Sequence, residues 1–267
     1  MLLSTAQAWL AAQRAAVLVE VSEARGSVPR EAGTRMLVSA NGVVGTIGGG
    51  HLEWKSIEEA RRMLASHDGS RHTLHFPLGP ALGQCCGGAV TVEFERLAAH
   101  HLATWPAPVP RFHLQLYGAG HVGRAVARLL VTLPCAVDWI DERDDEFPES
   151  LGDGPPWPVH IRKVAVDAVE GEAARAPAGA AFLVVTHQHA LDERIVEAIL
   201  RRGDFGFLGL IGSKTKRQKF VHRFEARGLS PALIERMVCP IGLPGIVGKE
   251  PELIAISVVA QLLQETR

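Results

Sequence analysis

Leu114-Gln115-Leu116-Tyr117-Gly118-Ala119-Gly120-His121-Val122-Gly123 is the stretch that decides the fold of the second half of the chain. An apolar strand runs directly into glycines spaced G-x-G-x-x-G, and a helical pattern begins at His121. Each glycine has its own task in such a turn: a tight reversal, close approach of backbone to a phosphate, and close packing of helix on sheet. The new helix adds unpaired N–H groups and positive dipole potential at the same point. The next predicted strand ends at Asp141, 23 residues after Gly118, near the offset of about 20 residues at which a carboxylate meets a nucleotide ribose. Strand, turn, helix and acid together predict a Rossmann-like domain with a phosphate-binding turn. The alternative is a glycine-rich turn that binds no nucleotide. Arg143 stands close to the acid and leaves open the choice between NAD and its phosphorylated relative.

Outward from this turn, strands are predicted at 136–140, 159–163, 181–186 and 206–211, with helices near 121–131, 191–202, 214–227 and 252–264. Strands alternating with helices predict a parallel, doubly wound sheet. Residues 150–158 are rich in Gly and Pro and read as irregular. Upstream, Trp105-Pro106-Ala107-Pro108-Val109-Pro110 carries prolines at alternate positions and reads as an extended linker over 104–111. It separates an N-terminal domain, 1–103, from a C-terminal domain, 112–267. The fold class is α/β, a Rossmann-like doubly wound parallel sheet preceded by a smaller mixed α+β domain. In the N-terminal part, strands are predicted at 16–23, 34–39, 43–47, 72–76 and 89–95, with a helix at 51–64. Asn41-Gly42 is a strong hairpin signal between two of these strands.

A length of 267 residues suits one large or two modest domains, and 47% hydrophobic residues are enough for packed cores. The formal net charge of −1 gives no reason to expect a nucleic-acid or anionic-membrane partner. The start, through Ala16, reads as an amphipathic helix with Leu3, Trp9 and Leu10 on one side rather than as a signal peptide. A cytoplasmic chain is expected. Cys85 and Cys86 are neighbours. Their Cα atoms stand about 3.8 Å apart, short of the roughly 4.4–6.8 Å of a relaxed disulfide, so free thiols are expected.

Several other stretches could carry chemistry. Gly83-Gln84-Cys85-Cys86-Gly87-Gly88 places thiols among glycines, where they could ligate a soft metal or carry sulfur; the alternative is two thiols packed as small hydrophobes. Thr186-His187-Gln188-His189 lies at the carboxyl end of a predicted strand, where open α/β sheets bind ligands. His187 and His189 could contact a ligand, move a proton or bind a metal, or simply fix the loop, with Asp192 as a helix cap. Gly212-Ser213-Lys214-Thr215-Lys216-Arg217 puts three cations near a helix start, against the helix dipole. A bound anion would relieve that conflict; a solvated basic face is the alternative. Gly48-Gly49-Gly50-His51-Leu52-Glu53 leads into another helix and could hold an anion or admit a neighbouring backbone. Cys239 is equally readable as reactive or packed, and Cys135 as structural.

Taken in order, GSVPREAGTRMLV (from Gly26), GTIGGGHLE (from Gly45), LGQCCGG (from Leu82), YGAGHVG (from Tyr117), VVTHQHALD (from Val184), GLIGSKTKR (from Gly209) and CPIGLPGI (from Cys239) resemble the XdhC family of the XdhC/CoxI superfamily, accessory proteins of xanthine dehydrogenase. The resemblance implies a chaperone rather than a turnover enzyme. It implies binding and protection of molybdenum cofactor (molybdopterin), support for its sulfuration by a cysteine desulfurase, and delivery to the catalytic molybdenum-binding subunit. A homodimer is implied too. On this view Cys86, with Cys85 as the less certain partner, meets the molybdenum end. The phosphate-bearing end meets Gly118, Gly120 and Gly123, with Lys214, and Asp141, His187 and His189 complete the cofactor-binding set. NAD or another nucleotide could also occupy the Rossmann domain. Two competing readings stay open: an NAD(P)-dependent oxidoreductase using Cys86 or His187, and a nucleotide-sensing regulatory module.

Overall fold

The computed structural model describes residues 2–66, 70–78, 87–106, 109–152 and 154–266. The chain forms two compact units, Met1–Ala107 and Pro108–Arg267.

In the first unit an N-terminal helix, α1 (Leu2–Ala11), precedes β1 (Ala16–Arg25), β2 (Arg35–Ser39), β3 (Gly42–Gly45), α2 (Gly50–Ala65), β4 (His72–Pro77), β5 (Ala89–Arg96) and α3 (Ala99–Thr104). The strands form an antiparallel sheet in the order β3-β2-β1-β5-β4. The central strand β1 is apolar at consecutive positions because both of its faces are covered. Val17, Val19 and Val21 meet Leu52, Ala60 and Met63 of α2 on one side, while Leu18 and Leu37 meet Ala6 of α1 on the other. Of the helix face expected from sequence, Trp9 packs here, with Leu2 in place of Leu3. The predicted hairpin forms, but Gly42 already pairs with Ser39, so the turn is Ala40-Asn41. The strand stops at Gly45 rather than running to Ile47, because Gly45 turns to φ +87°.

The second unit runs β6 (His113–Tyr117), α4 (His121–Leu130), β7 (Ala136–Asp141), β8 (Ile161–Ala165), β9 (Ala181–Val184), α5 (His189–Arg202), β10 (Phe207–Leu210), α6 (Lys214–Ala226), α7 (Pro231–Glu235), β11 (Met237–Val238) and α8 (Pro251–Glu265). All strands are parallel, in the order β11-β10-β9-β6-β7-β8. Numbered within this unit the order is 3-2-1-4-5-6, that of doubly wound dinucleotide-binding sheets. The predicted fold class is therefore observed. One face carries Leu114, Leu116 and Trp139 under α4 and α8; the other carries Tyr117, Phe182 and Val184 under α5 and α6. Among the described residues no α-helix connects β7 to β8, only a short 3-10 turn at Asp144–Glu146. Phe147 and Trp157 cover that part of the sheet instead, both edge-on to Trp139 at 5.2 and 5.1 Å. Among the described residues, no helix is long and apolar enough to cross a membrane.

Candidate functional site

The strand order reverses between β6 and β9, and doubly wound sheets bind ligands at the carboxyl ends flanking such a point. Gly118 follows β6 with φ +114°, and a Cβ there would stand 2.7 Å from the Val185 carbonyl oxygen. Only glycine fits. Its carbonyl accepts from Trp139 Nε1 at 2.9 Å and faces α4 so closely that a Cβ at Gly123 would be 1.9 Å from it. Gly120 is different, because a Cβ there would meet nothing within 4 Å. Packing within the fold does not require a glycine at 120. Gly120 also caps α4, with no side-chain cap bond and no acidic residue in the first turn. The N–H groups at the start of α4 therefore face outward under positive dipole potential.

Asp141, at the end of β7, is buried. Its Oδ2 accepts from Ala119 N–H at 2.6 Å and from Arg143 Nη2 at 3.0 Å. Oδ1 accepts from the Arg143 N–H at 3.0 Å and from Arg143 Nε at 2.9 Å. A carboxylate offers about four lone-pair sites, and all four are taken. Burial alone would push the Asp141 pKa up. The hydrogen bonds from the Arg143 side chain, Ala119 and the Arg143 backbone, with the guanidinium charge, more than reverse this and hold it below the usual carboxylate range. Asp141 thus stands beside the turn, as its spacing predicts, with its acceptors committed to the protein.

Gly118, Asp141, Thr186 and His187 line one narrow cleft with Glu142 and Leu191. His187 is exposed and sits 3.0 Å from Gln188 Nε2. His189 is the exposed first residue of α5. Among the described residues, these two histidines join no cluster of metal-ligating side chains. Asp192 does not cap α5, whose N-cap is Gln188 without a side-chain bond. Instead it is fully buried, accepting from Thr186 Oγ1 at 2.6 Å and pairing with the buried ammonium of Lys216. Lys216 Nζ also donates to the Ile211 carbonyl at 2.8 Å. One of the three cations at the start of α6 is thereby neutralised from within. Ser213 caps α6, accepting from Lys216 N–H at 3.2 Å. Lys214 is exposed and lines a separate cavity of about 510 Å³ with Ile241, Gly242, Leu243 and Ser257.

The glycine-rich lead into α2 is also filled from within. Glu53 accepts from the N–H groups of Ile47 at 3.0 Å and Gly49 at 3.2 Å, and from Thr46 Oγ1. Gly48, at φ +128°, lets Pro29 approach; a Cβ would meet its ring at 2.5 Å. Cys239 and Cys135 are both buried. Burial pushes the Cys135 thiol up to about 11. It raises Cys239 as well, against the opposing charges of Lys216 and Arg217.

Residues 114–262 match the family described as the XdhC Rossmann domain, and residues 9–77 match the XdhC and CoxI family. The chain belongs to the XdhC family. The uncharacterized protein YqeB of Escherichia coli K12 is 31% identical over 255 residues, which cover 92% of this chain and 43% of that protein. The chain therefore spans less than half the length of that curated relative. A crystal structure of a xanthine dehydrogenase from Bacillus halodurans aligns over 98% of this chain and 95% of its own, with a TM-score of 0.73 and 18% identity, a likeness of fold. In this XdhC chain, Cys85 and Cys86 lie between the two matched regions and outside the described residues.

Proposed function

We propose that this XdhC-family chain is an accessory protein of a xanthine dehydrogenase and not a turnover enzyme. It binds molybdenum cofactor, protects it, supports its sulfuration with a cysteine desulfurase and passes it to the catalytic molybdenum-binding subunit. Family membership over both halves of the chain carries this reading.

The structure offers a test of fit at the phosphate-bearing end of the cofactor. Gly120 leaves room where a Cβ would otherwise sit, and α4 starts without a capping side chain or an acid. That chemistry suits a phosphate. Gly118 and Gly123 shape the turn, and Gly120 with the first N–H groups of α4 would hold the anion. His187 borders a narrow cleft with Gly118 and Asp141. When bound, the cofactor supplies a molybdenum centre whose soft-ligand preference suits a thiolate, and Cys86 is the proposed contact. Asp141 acts on the protein side, holding the Ala119 N–H and the Arg143 fork. Its saturated acceptors are a reason to rank the NAD-dependent reading second, because a ribose diol would have to displace Arg143. Two copies of the chain acting together in the cytoplasm are part of the proposal.

The test is anaerobic binding of molybdenum cofactor to purified protein, beside Cys86→Ala. The expected result is near-equimolar molybdenum retained by the wild type and lost by the variant. No retention by the wild type overturns the reading; retention by both moves the metal contact away from Cys86.

A further inference from the structure

The face of the N-terminal sheet under α1 and α3 carries a second concentration of ligating side chains, unrelated to the Rossmann turn. Glu95 is the next-to-last residue of β5, and His100 and His101 are the second and third residues of α3. Glu95 Oε1 is 3.1 Å from His100 Nε2, and Oε2 is 3.3 Å from His101 Nε2. The two imidazole centroids are 4.0 Å apart, and one ligand atom from each residue lies within 4.8 Å of the other two.

The state of His101 is what needs explaining. The residue is only 7% exposed, and its Nε2 has no hydrogen-bond partner, because the approach to Glu95 lacks hydrogen-bond geometry. The far side of the ring is held by backbone: Nδ1 accepts from the Ala98 N–H at 3.0 Å and lies 3.2 Å from the Ala98 carbonyl oxygen. The two contacts call for opposite states of the ring: Nδ1 accepts from the Ala98 N–H in one tautomer and donates to the Ala98 carbonyl in the other, and in the second Nε2 turns a lone pair toward a carboxylate oxygen. In that second tautomer a cation between Nε2 and the carboxylate would bind both, and it would give the buried, unpartnered Nε2 a partner. Donation of the remote N–H to a backbone carbonyl is also the habitual arrangement of a metal-ligating histidine. Arg71 does not meet the need, since it pairs with Glu93 at 2.7 Å and stands 3.9 Å from Glu95.

We infer that Glu95, His100 and His101 form a binding site for a divalent transition-metal ion of the zinc class. Two imidazole nitrogens and a carboxylate oxygen are ligands this ion accepts. A tetrahedral ion with bonds of about 2.0–2.1 Å holds its ligand atoms roughly 3.3–3.4 Å apart. Glu95 meets His100 through Oε1 at 3.1 Å and His101 through Oε2 at 3.3 Å, and with one ligand atom per residue the three lie within 4.8 Å, so a modest side-chain adjustment reaches that spacing. The exposed side of the site, at His100, leaves the fourth position to water. The ion ties the end of β5 to α3.

The test uses the full chain, stripped with chelator and dialysed against Zn²⁺, with zinc content and melting temperature as readouts. The wild type is expected to hold near-equimolar zinc and to melt higher with it. His100→Ala removes a side chain that is 61% exposed, and Glu95→Gln keeps the shape of the carboxylate, so both variants fold. Each is expected to weaken zinc binding by about tenfold or more and to lose the zinc-dependent rise in melting. A Cys85→Ser/Cys86→Ser variant is expected to bind as the wild type does. A wild type that holds no zinc, zinc that stays with both His100→Ala and Glu95→Gln, or zinc that departs with the two cysteines would each overturn the inference.

Discussion

Replacing Lys216 by methionine removes one half of a buried ion pair and little volume. Asp192 is 0% exposed in its side chain and Lys216 8%. Without the ammonium, Asp192 keeps, among the described side chains, the Thr186 hydroxyl, and the Ile211 carbonyl loses the Lys216 donor. Breaking a buried pair by removing one partner costs about 3–5 kcal/mol, because a charge is left uncompensated. For a unit of about 160 residues, each kcal/mol moves the melting temperature by roughly 2–4 °C, so Lys216→Met lowers it by roughly 6–20 °C. Replacing both members by apolar groups of similar size is often near neutral. The double variant Asp192→Leu/Lys216→Met is therefore expected to recover most of the loss. Calorimetry and urea unfolding on the full chain measure all three variants, and the double-mutant cycle isolates the coupling. If Lys216→Met stays within about 1 kcal/mol of wild type, or the double variant loses the sum of the two single losses, the pair does not tie the ends of β9 and β10 together.

Gly120→Ala is expected to fold as the wild type does while weakening cofactor retention by about 1.4 kcal/mol, tenfold, or more, whereas Gly123→Ala disrupts the turn itself; melting curves beside anaerobic binding separate the two, and full binding by Gly120→Ala would refute the reading. Asp141 has a folded pKa below its unfolded value of about 3.9, so its stabilising effect is complete above that value and fades as pH falls through the folded pKa. Asp141→Asn should cost about 2 kcal/mol at neutral pH, and its deficit against wild type should shrink below about pH 4; an equal deficit at every pH would refute the assignment. Arg143→Ala leaves Asp141 with two backbone donors and frees the acceptors that Nε and Nη2 now occupy. Titration with NAD should show tighter binding than in the wild type, and unchanged or weaker binding counts against the account of Asp141 given above.

Local signals carried most of the fold. The strand, the G-x-G-x-x-G turn and the helix around Gly118 are written in contiguous residues, and so were β6, α4 and β7. β11 is only Met237–Val238 and is defined by pairing with β10, a partner distant in sequence. α3 is six residues long with two adjacent histidines, too short for a helical period to declare itself. The metal-like cluster at Glu95, His100 and His101 was hidden for the same reason, because it exists only once α3 folds back toward the end of β5.

At the candidate site, spacing located residues but not their partners. Three stretches, 48–53, 118–123 and 212–217, invite an anion by elementary electrostatics, and the invitation is physically sound in each. In the first, the anion is Glu53 of the same chain, which accepts from the Ile47 and Gly49 N–H groups. In the third, Asp192 neutralises Lys216 across 24 residues of sequence, a distance no local pattern spans. The second is only half answered: Asp141 takes the Ala119 N–H and there meets the Arg143 fork, while the start of α4 keeps no side-chain cap. Among the described residues the chain supplies its own carboxylate at 48–53 and 212–217 and none at Gly120, beside open space, and that contrast supports the proposed ligand end of the domain. On the proposed reading a phosphate there would meet N–H donors that carry no side-chain cap among the described residues, and that contrast directs the first substitution to Gly120 rather than to Lys214 or Gly49.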